Sequence, residues 1–543
     1  MFGNVKKPVK PVVIRKVSVA RPTDQPAPSG NVQRRPLPTQ TSSSAKNGVV
    51  KVKDAVRRAG SAPASGLLSV KRRQDSKTAS PSPSLSPSRR SSGSHKRKAP
   101  DPSATPDFGS SSEEESSGDE AADGSRKRMR PTPRTGTVEP DMKRVVLDDD
   151  ALKSDGELQE EEKSIHGHDL TVGKFKEYQK YMSATGEDDG KAAIAELQYP
   201  SKCKKERFQL VLPTDPADYN PVEDIIESIV QICREYFPEK QAEFLTDEIT
   251  GYPRRFRKAY RERSGPQFLA ALEDFNAFIT KSVNDDTIPN FLRTRHNLPL
   301  SLVERILSQV YARTVSPQVS ILKQYENGTD DVYGELLPRF VHQIFLDTNL
   351  RSDQVFVDLG SGVGNVVLQA ALEIGCESWG IERMPNPSGL AAKQVAEFVP
   401  RCKRWALKPG KATVLQGDFL QSLEIDEVLR RADVILVNNQ AFTPALNGAL
   451  TMKFLDLKDG CKIVSLRSFL PENWQIRERN LQDPRNLLIS NLKKEYFSGS
   501  VSWTDQGGNY YVATKDVSKL EAFSKRQQEM REAEKQLNGD HEK

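Results

Sequence analysis

Apolar residues fall into regular spacings only beyond about residue 166, and the spacing changes once along the way. Asn220 followed by Pro221 is an N-cap and first-turn pair. Behind it Val222, Ile225, Ile226, Ile229, Ile232, Cys233 and Tyr236 recur at helical intervals. Ser301 with Glu304 reads as a capping box ahead of Leu302, Val303, Ile306, Leu307, Val310 and Tyr311. Both stripes predict amphipathic helices that pack on a core rather than carry chemistry. From Asp353 the pattern becomes short apolar runs separated by helix-length stretches: VFVDL, SWGIE, ATVLQGD, ADVILVN and CKIVSL. Such alternation predicts a parallel sheet built from βαβ units. KEYFSGSVSWT and NYYVATK follow, with a turn expected at Asp505 to Gly508, so the sheet should close with an antiparallel hairpin. Beyond Lys515 the charged run KLEAFSKRQQEMREAEKQL predicts an exposed helix.

The first 165 residues lack this periodicity and hold most of the Pro/Ser-rich and charged tracts, such as SPSPSLSPSRRSS and SSSEEESSGDE. A segment of that composition cannot bury enough apolar surface to offset its ordering entropy, so 1–165 is expected to be a disordered arm. The rest of the 543-residue chain divides into a helical part at 166–340, an α/β core at 341–515 and a charged helix at 516–543. Three basic runs in the arm end at Arg73, Lys98 and Arg130. They suit nuclear import or attraction to nucleic-acid phosphates, against the plainer possibility of a solvated tail. Phosphorylation at the Ser-Pro sites would weaken that attraction. The five cysteines show no CxxC or His/Cys spacing, which implies reduced thiols and no metal. No apolar run is long enough to span a bilayer and no secretory leader is evident, so a soluble protein that stays inside the cell is expected, with no membrane partner.

The sharpest motif is VDLGSGVGN, residues 357–365, set between a predicted strand and a predicted helix. Gly360, Gly362 and Gly364 allow a tight turn and close approach of a ligand. A GxGxxG pattern alone would suit a dinucleotide. Here Asp358 precedes it, and a carboxylate there repels a pyrophosphate but attracts the cationic amino group of S-adenosylmethionine. Glu382 ends the next strand about twenty residues on, where a carboxylate can accept ribose hydroxyls. Asp418 closes the third, with Phe419 beside it as an apolar face for adenine.

The fourth strand ends in Asn438, Asn439, Gln440, Ala441 and Phe442, with no carboxylate and no NPPY-type loop. Polar amides there suit the orientation of a neutral amine. Lysine, with a side-chain pKa of about 10.4, must lose a proton before it can attack, and an apolar channel promotes that loss. Phe442, Trp503 and Tyr510 are the aromatic candidates for its wall.

Taken together, VYGE at 332–335, FVDLGSGVGNVVLQAA at 356–371, GIE at 380–382, GDFL at 417–420, VNNQAF at 437–442, GSVSWT and NYY resemble one family. It is the family of histone lysine methyltransferases without a SET domain, named for disruption of telomeric silencing (DOT1), in its fungal form. The likeness runs from about Phe208 to Thr514. It implies a class I Rossmann-like methyltransferase fold with a seven-stranded, mostly parallel sheet behind a helical subdomain. It implies transfer of methyl groups from S-adenosylmethionine to a lysine in the globular core of nucleosomal histone H3, in the nucleus, with roles in silencing and the DNA damage response.

The resemblance also implies roles. Tyr333 and Glu335 would lie in a loop over the cofactor, with Asn365 as a further contact. Asp358 and Gly360 would hold its methionine end, Glu382 the ribose, and Asp418 with Phe419 the adenine. Asn438 and Tyr510 would face the reacting centre and Trp503 would wall the lysine channel. Trp474, Arg477 and Arg479, after the fifth strand, would meet the acidic histone surface, and the basic arm would meet nucleosomal DNA. Ubiquitinated histone H2B is a further implied partner. The sequence departs from the usual family pattern at Gln440, where an aromatic is common, at Asn365, where glutamine is common, and around Gln475. Two other readings share the glycine loop: an RNA or small-molecule methyltransferase, and a catalytically silent chromatin scaffold.

Overall fold

The computed structural model describes residues 141–153, 164–174, 176–183, 192–323 and 332–539. The expected arm up to residue 140, with its three basic runs, lies outside the described residues. Its expected end at 165 needs correction, because Asp141 to Lys153 packs on the fold. Val146, Leu147 and Ala151 are buried, and Leu147 bridges Leu407. The buried Arg144 side chain donates to the carbonyls of Lys408 (2.7 Å) and Leu372 (2.8 Å). Three apolar residues among acids are too few to show a period, so only the tertiary partners reveal this segment.

The helical half comprises α1 (Gly167–Thr171), α2 (Pro221–Glu235), α3 (Glu239–Thr246), α4 (Tyr252–Arg261), α5 (Gly265–Asn284), α6 (Thr287–Arg293) and α7 (Leu300–Thr314). It also holds two short antiparallel pairs that the sequence pattern did not suggest: β1 (Tyr178–Lys180) with β4 (Val211–Pro213), and β2 (Ile194–Leu197) with β3 (Glu206–Gln209). Asn220 caps α2 as expected, its Oδ1 accepting from the amides of Val222 and Glu223. The capping box at Ser301 does not form. Helix α7 begins at Leu300 with Pro299 as its N-cap, two residues earlier than expected, which leaves Ser301 inside the first turn, where it cannot cap.

The α/β core adds α8 (Pro338–Thr348), β5 (Val355–Leu359), α9 (Asn365–Gln369, extended by a π turn to Ile374), β6 (Glu377–Glu382), α10 (Pro385–Arg404) and β7 (Ala412–Gln416). It continues with α11 (Leu423–Leu429), β8 (Val434–Val437), α12 (Pro444–Lys453), β9 (Lys462–Ser465), β10 (Leu488–Tyr496), β11 (Gly508–Lys515) and α13 (Ser518–Gly539). Seven strands form one sheet in the order β7-β6-β5-β8-β9-β11-β10, with β5 to β9 parallel and β11 antiparallel to both neighbours. All residues of β5 and β8 are buried, as expected of parallel strands covered on both faces. The hairpin differs from expectation in its connection. Its first strand ends at Tyr496, and 497–507 form a loop, so GSVSWT is not part of a strand. Val501 instead bridges Leu336, and that contact defines the site described below.

Helices α9 and α10 lie between the sheet and the helical half, and the junction is polar as well as apolar. Trp405, fully buried, donates Nε1–H to Gln309 (2.9 Å) and accepts at its carbonyl from the Tyr236 hydroxyl (2.6 Å). Beside it Glu206 of β3 accepts from Arg313 of α7 (2.8 Å) and from Arg401 of α10, and Arg313 also donates to Asp224 (2.7 Å). All four charges are buried. Burial alone would raise the Glu206 carboxyl, but Arg313 and Arg401 hold it far below the usual carboxylate range. Helix α13 is exposed over most of 518–535, with Leu520, Phe523 and Gln527 half-buried. No described helix is long and apolar enough to cross a membrane.

Candidate active site

The glycine loop leaves the carboxyl end of β5, next to the point where the sheet order reverses between β5 and β8. Open α/β sheets bind ligands at such switch points. Gly360 and Gly364 take φ of +89° and +88°, which side chains rarely adopt. The amides of Gly360 and Ser361 both donate to the Ile381 carbonyl at 3.0 Å, and the Gly362 amide donates to Glu382 Oε2 at 2.9 Å. The loop is thereby wrapped over the end of β6. A Cβ on Gly360 would meet only the Phe442 ring, at 3.9 Å, so the space above the loop is open.

Facing it is a strap, residues 332–337, held from three sides. The Glu335 amide donates to Ser502 Oγ (2.9 Å), and the Ser502 amide returns a bond to the Glu335 carbonyl (3.0 Å). The Trp503 indole lies so close to Gly334 that a Cβ there would come within 2.6 Å of it. The buried Glu335 carboxylate accepts from the Tyr333 hydroxyl, from Tyr311 (3.1 Å) and from Asn365 Nδ2 (2.9 Å). Burial raises its pKa, and the three donors oppose the rise. Asn365 Oδ1 accepts in turn from Gln394 of α10 (2.8 Å). Tyr311 was legible in the sequence only as one more position of a core stripe. Nothing in that stripe marks it as the residue that ties α7 to the strap.

Between strap and glycine loop lies a cleft of about 380 Å³. It brings together eight of the residues expected at a cofactor or reacting centre: Tyr333, Glu335, Asp358, Gly360, Gly362, Asn365 and Asn438 line it, and Gly364 ends its loop. Ser361 and Leu436 line it too and were not anticipated. Asp358 is 4% exposed, and burial, with the Glu382 charge adding to it, pushes its carboxyl up to about 8. Asn438 donates Nδ2–H to the Gly334 carbonyl (3.3 Å), while its Oδ1 is buried without a partner. Ser361 Oγ is likewise buried and unpartnered. A carboxyl raised by burial and by a neighbouring carboxylate, an open amide acceptor and an open hydroxyl form a set that a ligand carrying an ammonium and polar edges satisfies. The residues fit S-adenosylmethionine.

Other expected residues stand at the rim or apart. Glu382 ends β6 and accepts the amides of Gly362 and Met384. Asp418 follows β7 and accepts the Leu420 amide (2.8 Å), and Phe419 stacks toward Phe442 with ring centroids 6.2 Å apart. Tyr510 is corrected: it is not in the cleft. Its side chain is 1% exposed, its ring packs on Phe340, and its hydroxyl donates to Asp347 of α8. Strand alternation sends it to the face covered by α8, away from Phe442. After β9, Trp474 donates to Asn486 (3.0 Å) and stacks under Arg485 (4.2 Å), so it holds its own loop. Arg477 and Arg479 are exposed and make no ion pair with a described residue. Among the described residues no cluster of three or more His, Cys, Asp or Glu could hold a metal.

Comparison with known proteins adds the family. Residues 311–515 match the model of the family described as histone methylation protein DOT1. A histone-lysine N-methyltransferase, H3 lysine-79 specific, from Aspergillus fumigatus is 52% identical over 365 residues, covering 66% of this chain and 71% of that protein. Its counterpart from Emericella nidulans is 50% identical over 364 residues, with the same coverage of 66% and 71%. That from Gibberella zeae is 41% identical over 394 residues, 72% of this chain and 77% of that protein.

Proposed function

Because the chain belongs to the DOT1 family of histone methylation proteins, we infer that it methylates lysine-79 of histone H3 in nucleosomes, using S-adenosylmethionine. It is a histone-lysine N-methyltransferase. The observation that carries the reading is the cleft itself, where Asp358 and the open Oδ1 of Asn438 share one cavity with the glycine loop. An RNA or small-molecule substrate and a silent scaffold have no comparable support.

S-adenosylmethionine supplies an electrophilic methyl carbon on a sulfonium. Around it this chain's residues bind and orient. Asp358 would pair with the ammonium, Glu382 would accept the ribose hydroxyls, and Asp418 with Phe419 would receive the adenine. Tyr333 and Glu335 would close the strap over the methionine end, with Asn365 fixing the Glu335 carboxylate. Asn438 Oδ1 would accept an N–H of the substrate amine and aim its lone pair. Phe442 and Trp503 would exclude water from the channel, and that desolvation favours the neutral amine. Proximity and orientation then supply most of the acceleration.

Affinity for a nucleosome needs surface beyond the cleft. The exposed Arg477 and Arg479 suit the acidic histone surface, with Trp474 stiffening their loop. The basic runs of the arm suit DNA phosphates. Stimulation by ubiquitinated histone H2B and residence in the nucleus belong to the same proposal. The test is methyl transfer from labelled S-adenosylmethionine to nucleosomes and to free histone H3, with wild type and Gly360→Arg. Label on nucleosomal H3 with wild type alone supports both chemistry and docking. Label on free histone only removes the docking part, and no label on either removes the whole reading.

A further inference from the structure

Helix α4 carries YPRRFRKAYR, and its inner and outer faces are chemically opposite. Pro253, Phe256 and Ala259 are buried, with Phe256 set edge-on against Phe268 and Phe275. On the other side Arg254, Arg257, Lys258 and Arg261 are all exposed. Their spacing is i, i+3, i+4 and i+7, so at 3.6 residues per turn they share an arc of roughly 100°. Two neighbouring arginines are already used: Arg255 pairs with Asp274 (2.6 Å), and Arg263 lies over the Tyr181 ring. Lys258 has a loose pair with Glu262 at 4.0 Å. Arg254, Arg257 and Arg261 make no ion pair with a described residue.

We propose that this ridge binds the phosphate backbone of duplex DNA. Adjacent members of the set are like-charged neighbours on one helix, a repulsion that the free chain tolerates and a polyanion relieves. Guanidinium groups match phosphate oxygens in fork geometry, and three of the four cations are arginine. The helix is anchored by its aromatic inner face, so the backbone that carries the ridge is fixed before contact. No aromatic or amide side chain is interleaved with them on the outer arc, which points to backbone contact without base reading. An acidic protein surface is the competing occupant. A ridge of four cations strung over about 10 Å of one helix face, with one acid at its edge, fits a linear array of charge better than a compact patch. The proposal goes beyond the methyl-transfer site, and its test does not use methyl transfer, so the two can fail separately.

The experiment measures affinity of the full-length protein for a short fluorescent DNA duplex of mixed sequence across a range of salt concentrations. It compares wild type with a variant in which Arg254, Arg257, Lys258 and Arg261 are all changed to Ala. The slope of log affinity against log salt should fall in magnitude by about 3 to 4, since each phosphate contact contributes about 0.9. Affinity at low salt should fall at least tenfold, while melting temperature and S-adenosylmethionine affinity stay at wild-type values. Lysine at Arg254, Arg257 and Arg261 should keep most of the slope. If the fourfold variant does not fold, Arg257→Gln with Arg261→Gln should still lower the slope by about 2. An unchanged slope in a folded variant overturns the proposal. So does a loss confined to binding of an isolated acidic histone dimer with DNA binding intact.

Discussion

The Tyr311 hydroxyl donates to the Glu335 carboxylate at 3.1 Å, and through this bond a helix of the N-terminal half reaches the strap over the cleft. The same carboxylate accepts from Tyr333 and from Asn365, so both halves of the protein converge on one buried anion. Removing the Tyr311 hydroxyl leaves two donors on Glu335 and should loosen the strap without unfolding it. Tyr311→Phe is expected to weaken S-adenosylmethionine binding by roughly tenfold, about 1.4 kcal/mol, with a melting temperature near wild type. Titration calorimetry measures it, and wild-type affinity in the variant would remove Tyr311 from the positioning set.

Asp358 gives a pH dependence whose sign is fixed by burial. Its carboxyl sits at about 8 in the folded free chain against 3.8 for the unperturbed group. Between those values the folded chain holds a proton that the unfolded chain has lost, so this residue's contribution to stability declines as pH rises from about 4 to 8. Binding a cation beside Asp358 favours the carboxylate. Cofactor affinity should therefore rise with pH toward 8 and then level, with release of up to about one proton per molecule bound at neutral pH. Calorimetry in buffers of different ionisation enthalpy reads the proton directly. Asp358→Asn should abolish the release and flatten the stability profile.

The buried cluster at the junction of the two halves should be intolerant of single removals. Arg401→Met leaves Glu206 with Arg313 and the Gly167 amide, and leaves Glu397 with the Ile165 amide but without its arginine at 2.8 Å. Stranding buried carboxylates in this way typically costs about 3–5 kcal/mol. The held-down pKa of Glu206 makes its own contribution one that is present above the ordinary glutamate range and is lost on acidification. A thermal melt of Arg401→Met should fall well below wild type at neutral pH. A melt within a degree or two of wild type would show that the cluster does not hold the halves together.

Arg477→Ala with Arg479→Ala separates docking from chemistry. Both side chains are exposed and neither touches the cleft, so folding and cofactor affinity should be unaffected. Methylation of nucleosomes is expected to fall tenfold or more, while labelling of free histone H3 stays at wild-type level. Equal loss on both substrates would place these arginines in some other role.

Asn438→Ala removes the open acceptor in the cleft. The expected result is a fall in kcat of about a hundredfold, of the size seen when one preorganised polar contact at a reacting centre is deleted, with little change in the KM for S-adenosylmethionine. A proportional rise in KM with kcat intact would make Asn438 a cofactor-binding residue instead.

Several features were determined by the sequence itself because their causes are local. The glycine loop needs φ that only glycine adopts easily, Asp358 and Glu382 are placed by the ends of their strands, and the fully buried β5 and β8 are a direct consequence of a sheet covered on both faces. The DOT1 resemblance rested on these same short motifs. Tertiary structure decided what depends on partners far away in the chain. Tyr510 and its neighbour Tyr511 lie on opposite faces of β11, and only the packed sheet shows that Tyr510 turns to Phe340 and Asp347 rather than to the cleft. GSVSWT has strand-like composition, yet its Val501 and Trp503 are taken by Leu336 and Gly334, more than 160 residues earlier. Arg144, Val146 and Leu147 gain order from distant partners, among them Leu372, Leu407 and Lys408. A side chain's periodicity records that it is buried, but not against what, and the bonds that hold Glu335 and the buried charges are made by residues whose one-dimensional neighbours say nothing of them.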